Sequence, residues 1–307
     1  MKQEDFINKL QLSFQNNKRD PDLLSDETRF YRGELLLNYL NQVSKTLNFF
    51  DFQDQIIFEN NLPFIIVNNI KLLLNQKYFL KHSGKKFVSS SNESISFLKK
   101  FKIKPLNIID LGACWGEYSL SLSKEFPETQ IYSVEGSKKN YDTLSLNLEY
   151  NPEFKKNVKP FNLIISNHDG FEEMLDAVNT MNFLKKVINN KKYTYKKIQS
   201  NTLKTFLSKL KVKEIDFIKI DIEGSEQSLL ADLKKISFKS IQVELIDYNK
   251  IEDNINFVKE LSVNYDFFEP KNWQKLVLED LINLVVEFTS IIAKSNLTLD
   301  DLANPFE

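Results

Sequence analysis

The stretch IIDLGACWGEYSL, residues 108–120, decides the fold. NIIDL (107–111) is an apolar, β-branched run of strand length. Gly112 and Gly116 bracket a short turn, and EYSLSLSKEF then repeats apolar residues at helical spacing until Pro127 stops it. A buried strand, a glycine-containing turn and a helix form the first unit of a parallel α/β sheet.

The same rhythm continues outward. IYSVE (131–135) reads as a second strand, followed by a helix in SKKNYDTLSLNLEY with Tyr141, Leu144 and Leu148 on one face. VKPFNLIIS (158–166) reads as a third strand. A Lys- and Asn-rich excursion (169–200) comes next, then a short helix, NTLKTFLSKL (201–210). IDFIKI (215–220) and SIQVELI (240–246) read as strands four and five, with SEQSLLADLKKI as the helix between them. YDFFEP near residue 267 is a sixth candidate. This alternation predicts an α/β fold: a Rossmann-like, doubly wound, mostly parallel sheet over residues 101–307. Residues 1–100 read as a helical N-terminal region, with residues 1–60 helical in spacing. It carries a hairpin in PFIIVNNIKLLL (63–74), where Asn68-Asn69 tolerates the positive φ of a tight turn. LVLEDLINLVVEFTSIIA (276–293) reads as a C-terminal amphipathic helix, since Glu279, Asp280 and Glu287 interrupt it at helical spacing.

Composition excludes several classes. The 307 residues carry 41 basic and 42 acidic side chains, a formal net charge of -1, so no bulk field favours nucleic acid or an acidic membrane. The basic run NNKKYTYKK (189–197) reads as a solvated loop. One cysteine, Cys114, permits no intrachain disulfide. MKQEDFINKL does not read as a secretory signal, and no uncharged run reaches membrane-spanning length, so the expected location is cytoplasmic. Oligomeric state is not set by the sequence, and a homo-oligomer is allowed.

The chain has only seven glycines. Gly112 and Gly116 follow strand one, Gly136 strand two, Gly170 strand three and Gly224 strand four. Ligands of doubly wound sheets bind outside the carboxyl ends of the strands, and these five glycines mark that edge. The cofactor question turns on the first of them. A dinucleotide places its pyrophosphate on bare backbone through G-x-G-x-x-G, whereas the middle position here is Cys114. No G-K-[ST] P-loop is present. S-adenosyl-L-methionine has no phosphate. It needs a turn for its methionine part and an acid for the ribose hydroxyls, and Glu135 closes strand two, 23 residues after Gly112. NAD enzymes place an acid similarly, so Glu135 supports a ribose without choosing between cofactors; the glycine pattern chooses.

DLGACWGEYS, VEGSKKNYDTLSLNLEYN, TLKTFL, FIKIDIEGSEQSLL and IQVEL follow one another in an order and spacing that resemble the FkbM family of class I S-adenosylmethionine-dependent methyltransferases. The resemblance spans roughly residues 64–270, and IKIDIEGSE (218–226) is its most specific piece. Two positions depart from the family pattern: Cys114 stands where Asn is common, and Lys204 where Asp is usual. The resemblance implies O-methylation of a hydroxyl on a sugar, glycan precursor or related metabolite, an activity in glycan biosynthesis on a small-molecule or glycan acceptor. It implies cofactor contacts from Asp110, Gly112, Ala113, Cys114, Gly116, Glu135, Gly136, Ser137, Ser166, Asn167 and Asp221.

Methyl transfer from a sulfonium is an in-line displacement that needs alignment, and a hydroxyl acceptor needs a group to take its proton. Asp221 and Glu223 after strand four and Glu244 near the end of strand five are the catalytic candidates. Asp221 is expected to face the methyl as base or acceptor-orienting group. The alternative is a cap on the next helix, with Glu223 the better cap. His168 is a weaker base. The same three acids suit Mg²⁺ by ligand type, but the expectation is no metal, and zinc lacks a His/Cys cluster. Tyr193 and Lys197 fit a Tyr-x-x-x-Lys spacing by coincidence. Two other readings stay open: a nicotinamide-dependent oxidoreductase, and a methyltransferase-like binding subunit without turnover.

Overall fold

The computed structural model describes residues 56–60, 62–73, 91–175, 184, 186, 195–212, 214–236, 238–245, 251–269, 272–286 and 290–295. The helical reading of residues 1–60 lies outside them except at its end, where Ile56–Glu59 forms a strand, β1.

β1 pairs antiparallel with β2 (Leu62–Val67), and β2 with β3 (Ile70–Leu73), in a small three-stranded sheet. Asn68 and Asn69 both have positive φ, 50° and 63°, the geometry of a two-residue turn whose twist matches its strands. Helix α1 (Asn92–Lys100) follows.

The main sheet has seven strands. The middle strand of its parallel part is β4 (Asn107–Leu111). β5 (Gln130–Val134) and β6 (Val158–Phe161) lie to one side, and β10 (Phe217–Ile220) and β11 (Ser240–Glu244) to the other, all parallel. β13 (Ser290–Ser295) runs antiparallel between β11 and β12 (Tyr265–Phe268). The strands alternate buried residues to two faces. Ile108, Ile131 and Phe217 pack under α1, α2 (Glu117–Glu125) and α3 (Lys138–Glu149) with the small sheet. Ile109, Leu111, Ile218, Ile220 and Val243 pack under α5 (Leu203–Leu210), α6 (Leu230–Leu233), α7 (Ile251–Leu261) and α8 (Leu278–Val286). A one-turn helix, α4 (Pro152–Lys155), joins α3 to β6. Both faces are covered, so the sheet is doubly wound. Among the described residues no helix is long and apolar enough to cross a membrane.

Three expectations need correction. The run 158–166 is not one strand. It breaks after Phe161, and β7 (Ile164–Ile165) pairs instead with β9 (Tyr195–Asn201). The excursion after it is structured where described: β8 (Gly170–Leu175) and β9 form an antiparallel pair, so Tyr195–Lys197 of the basic run are strand and Gly170 opens β8. Neither strand has a buried apolar face: β8 is nowhere fully buried and β9 is buried only at Ser200 and Asn201, which hid them from a hydrophobic-period reading. Finally, the segment 276–293 is helical only through Val286. Its β-branched tail enters the sheet as β13, with Ile291, Ile292 and Ala293 buried.

The small sheet is tied to the main domain through asparagine. Asn151 Oδ1 accepts from Lys71 N at 2.9 Å and its Nδ2 donates to Lys71 O at 2.7 Å, as a neighbouring strand would. Asn147, fully buried on α3, accepts from Leu73 N at 2.7 Å and donates to Trp115 O at 2.8 Å. Asn147→Ala would take the side-chain acceptor from the buried Leu73 N–H and a donor from Trp115 O, and should cost about 1–3 kcal/mol in urea unfolding.

Candidate active site

Three segments meet at the carboxyl edge of the sheet. The first is the turn after β4. Gly112 N and Ala113 N both donate to Val134 O, at 2.9 and 3.0 Å, and Gly116 N donates to Ala113 O at 2.8 Å. Gly112, Cys114 and Gly116 have φ of 77°, 50° and 83°. Gly112 is required for a second reason: a Cβ there would lie 1.7 Å from the backbone O of Asp221. A Cβ on Gly116 would meet Leu144 Cδ1 at 2.2 Å, so α3 closes directly over the turn. Trp115 Nε1 donates to Asn140 Oδ1 at 3.2 Å, fastening the turn to the start of α3.

The second segment is the end of β5. Glu135 is 4% exposed, and its carboxylate spans two loops: Oε2 accepts from Cys114 N and Oε1 from Ser137 N, each at 2.8 Å. Burial pushes its pKa up to about 7, against the pull of those two amides. Burial, and then the Glu135 charge, also hold the Cys114 thiol well above its ordinary value. Ser137 caps α3 by accepting from Asn140 N at 3.3 Å. Asn162, unforeseen in the sequence, donates to the carbonyls of Glu135 and Gly136 at 2.9 and 3.0 Å. Gly136 faces β7 and β8; a Cβ would lie 2.6 Å from Met174 Sδ.

The third segment follows β10. Asp221 N donates to Leu111 O at 3.1 Å. Glu223 has a left-handed φ of 54°, and it does not cap the next helix as expected. Glu226 instead ties the turn that precedes the helix: its Oε1 accepts from Ile222 N and Gly224 N, both at 3.1 Å. The helix begins as a 3-10 turn (Glu226–Leu229), and its N-cap residue Ser225 makes no side-chain cap bond. Burial raises Glu223 to about 8, with the charges of Asp221, Glu244 and Glu226 adding to it. Burial raises Glu244 to about 7, and the charge of the neighbouring Asp221 adds to it. Burial likewise brings Glu226 to about 7.

The largest omission of the sequence reading is Lys219. Its ammonium donates to Asp221 Oδ2 at 2.9 Å and to Gly112 O at 3.3 Å, lies 3.6 Å from Asp110 Oδ1, and sits 5.2 Å from the centroid of the Tyr118 ring. Asp110 is fully buried, bonded to Ser119 Oγ at 2.6 Å, and raised by burial against the Lys219 charge. The signal was in FIKI: a lysine inside a central, fully buried strand must find an acid.

The structure thus gathers Asp110, Gly112, Ala113, Cys114, Glu135, Ser137, Asp221, Glu223 and Glu244 on one edge. Ser166 and Asn167 lie a step away at the end of β7. Ser166 is buried and donates to Glu172 at 2.6 Å, and Asn167 is exposed beside the exposed His168. Among the described residues, no three His, Cys, Asp or Glu side chains converge to hold a metal ion.

Residues 110–294, more than half of the chain, match the family model of the methyltransferase FkbM domain. The chain belongs to the FkbM methyltransferase family. Its sheet, with one antiparallel strand inserted next to the far edge, is that of the class I methyltransferases. Similar solved structures include a methyltransferase FkbM from Methylobacillus flagellatus KT, 16% identical with TM-score 0.40, over 62% of this chain and 44% of that one. This FkbM chain therefore spans less than half the length of that relative. A fibrillarin/Nop5p complex is 15% identical with TM-score 0.40, over 78% and 96%. A precorrin-6y C5,15-methyltransferase from Geobacter metallireducens GS-15 is 12% identical with TM-score 0.36, over 75% and 94%. A comparison with curated proteins gave no match.

Two outcomes follow from this geometry. Gly112→Ala places a methyl group against the Asp221 carbonyl at a positive φ, and should lower the unfolding free energy by about 2–4 kcal/mol in denaturant titration. The pKa values of Glu135, Glu226 and Glu244 (about 7) and Glu223 (about 8) are raised above 4.5 by folding. The native state therefore binds protons more tightly than the unfolded chain, and this contribution is fully present below pH 4.5 and lost as pH rises through 7 to 8. Denaturant midpoints should fall across that window, and Glu226→Gln should flatten the slope.

Proposed function

We propose that this FkbM-family chain transfers the methyl group of S-adenosylmethionine to a hydroxyl of a small-molecule or glycan acceptor. The single observation that carries the cofactor reading is the Glu135 bridge to Cys114 N. In a dinucleotide site the amide at the middle of this turn faces a pyrophosphate. Here that amide is already given to a carboxylate, whose charge would repel a phosphate, and the Cys114 side chain occupies the approach. The donor set suits a ribose without a phosphate: each Glu135 oxygen accepts one N–H and keeps lone pairs for a hydroxyl hydrogen. The positive-φ turn at residues 112–116 offers backbone to the amino-acid end of the cofactor. The cofactor supplies a methyl group on a positively charged sulfur.

The protein's task is alignment and proton removal. Asp221, held against the Gly112 turn, orients the acceptor hydroxyl toward the methyl. Glu244, beside Asp221 at the same edge, takes the proton. Its pKa of about 7 means that it acts as base only in its ionised form, so kcat/KM rises with pH through about 7. Ser166 and Asn167 stand on the adenine side by family analogy.

Calorimetry tests the cofactor assignment. S-adenosylhomocysteine and S-adenosylmethionine should bind and NAD should not; tight NAD binding without S-adenosylhomocysteine binding reverses the reading. Glu135→Gln should weaken S-adenosylhomocysteine by roughly 10-fold, since hydrogen bonds to a charged acceptor are the stronger kind. With a panel of sugar and glycan-precursor acceptors, Asp221→Asn should abolish S-adenosylhomocysteine release while cofactor affinity stays within a few-fold. Full turnover in that variant removes Asp221 from the mechanism.

A further inference from the structure

The register of the central strands places Lys219 opposite Asp110 on β4 and opposite Gln242 on β11. These side chains share the face covered by α1 and α2. Tyr118 and Ser94 close over them: Tyr118 bonds Gln242 Oε1 at 3.0 Å and Ser94 at 2.5 Å. The lysine side chain is 11% exposed, so water does not supply its partners. Its ammonium has two directions to go. Asp110 draws it inward, and Asp110 Oδ1 has no hydrogen-bond partner of its own. Asp221 and the Gly112 carbonyl draw it to the edge, and there it forms its bonds.

We propose that Lys219 is a positioning residue for methyl transfer: it binds both the turn that seats the cofactor and the carboxylate that orients the acceptor, and so fixes one against the other. The inference rests on the S-adenosylmethionine reading above. One ammonium holds Gly112 O and Asp221 Oδ2, two groups from different strands that lie on opposite sides of the reacting bond in that reading. The bare Cα of Gly112 lets the two strands approach closely enough for a single side chain to span them. A buried ion pair placed only for stability would end at Asp110. The bonds to the edge are what a stabilising role leaves unexplained.

The charges around this edge are Glu93 on α1, Asp110 on β4, Tyr118 on α2, Asp221, Glu223 and Glu226 after β10, and Glu244 on β11, with Lys219 the cation that acts on them. Removing that cation disfavours every ionised carboxyl nearby. In Lys219→Met the titration midpoint of Glu244 should therefore move up by about one unit or more. It is read by carbon-13 NMR of side-chain-labelled glutamate, with the Glu244 signal assigned by its loss in Glu244→Gln. S-adenosylhomocysteine affinity should fall roughly 10-fold as the Gly112 turn is released, and turnover on any acceptor found should fall roughly 100-fold, the scale of an ångström-sized misplacement. Lys219→Arg keeps the charge but replaces the compact ammonium with a longer, planar guanidinium. Its midpoint should stay at the wild-type value while S-adenosylhomocysteine affinity drops at least about 3-fold.

An unmoved midpoint together with wild-type S-adenosylhomocysteine affinity in Lys219→Met overturns the proposal. Should that variant not fold, unchanged affinity in Lys219→Arg overturns it. Wild-type protein that binds no S-adenosylhomocysteine sinks the cofactor reading instead, and the NMR midpoints then decide separately whether Lys219 controls the acids.

Discussion

A row of polar side chains crosses the middle of an otherwise apolar sheet: Ser133, Asp110, Lys219 and Gln242, one from each of β5, β4, β10 and β11, in register. All four are buried. A buried lysine and a buried aspartate are tolerable only when each finds the other and the remaining lone pairs are met. Slipping β10 by one residue would put Lys219 among Ile109, Leu203 and Phe257 on the opposite face. The row therefore fixes the register of the three central strands more tightly than interchangeable aliphatic residues would. It also dictates what covers it. Ser119 must reach both Asp110 and Ser133, each at 2.6 Å, and Tyr118 must reach Gln242, which sets the rotation of α2.

The carboxyl edge inherits that register. Because β4 and β10 are aligned, the Asp221 carbonyl falls on Gly112, and the turn there can carry no side chain. α3 closes over Gly116, and the helix that follows starts there without a capping side chain, Gly116 N itself donating to Ala113 O. Glu135 then clips the turn after β4 to the turn after β5. Few glycines are used because few positions demand one, and the demands at Gly112 and Gly116 come from neighbouring chain as well as from φ. The same crowding that serves packing leaves a narrow edge lined by backbone and carboxylates.

How far this was legible follows from what each signal depends on. β4, β5, β10 and β11 are buried on both faces, so their apolar runs stand out whatever their partners. The hairpin turn was visible because Asn68-Asn69 carries its own conformational preference. β13 was not, because an apolar run after a helix with no glycine or proline between them reads as more helix; only the gap between β11 and β12 makes it a strand. β8 and β9 are half-solvated strands whose polar residues mimic a loop. At the edge, the acids were readable as types but not as partners. Glu226, rather than Glu223, holds the turn after β10, and one sequence offers no sign of the left-handed φ at Glu223 beyond the neighbouring Gly224. Lys219 was overlooked because a strand was scored for its apolar residues, while its one charge carried the most specific structural information.

The acids of the edge set folding and chemistry against each other. Burial favours their protonated forms, whereas proton abstraction from a hydroxyl needs one of them ionised. A single lysine is shared between Asp110 and Asp221, so its pull on Glu223 and Glu244 does not offset their burial. The arrangement settles this by dividing the acids by depth. Glu226 and Glu135 are buried and take their stabilisation from backbone amides, so they serve the loops in either protonation state. Glu223 and Glu244 keep partial exposure, where water softens the cost of charge. Asp221 alone combines access to the edge with a direct cation partner. Of the edge carboxylates it is the one whose direction is fixed by the polar row within the sheet, so the element that sets the register of the strands also sets the group proposed to meet the acceptor.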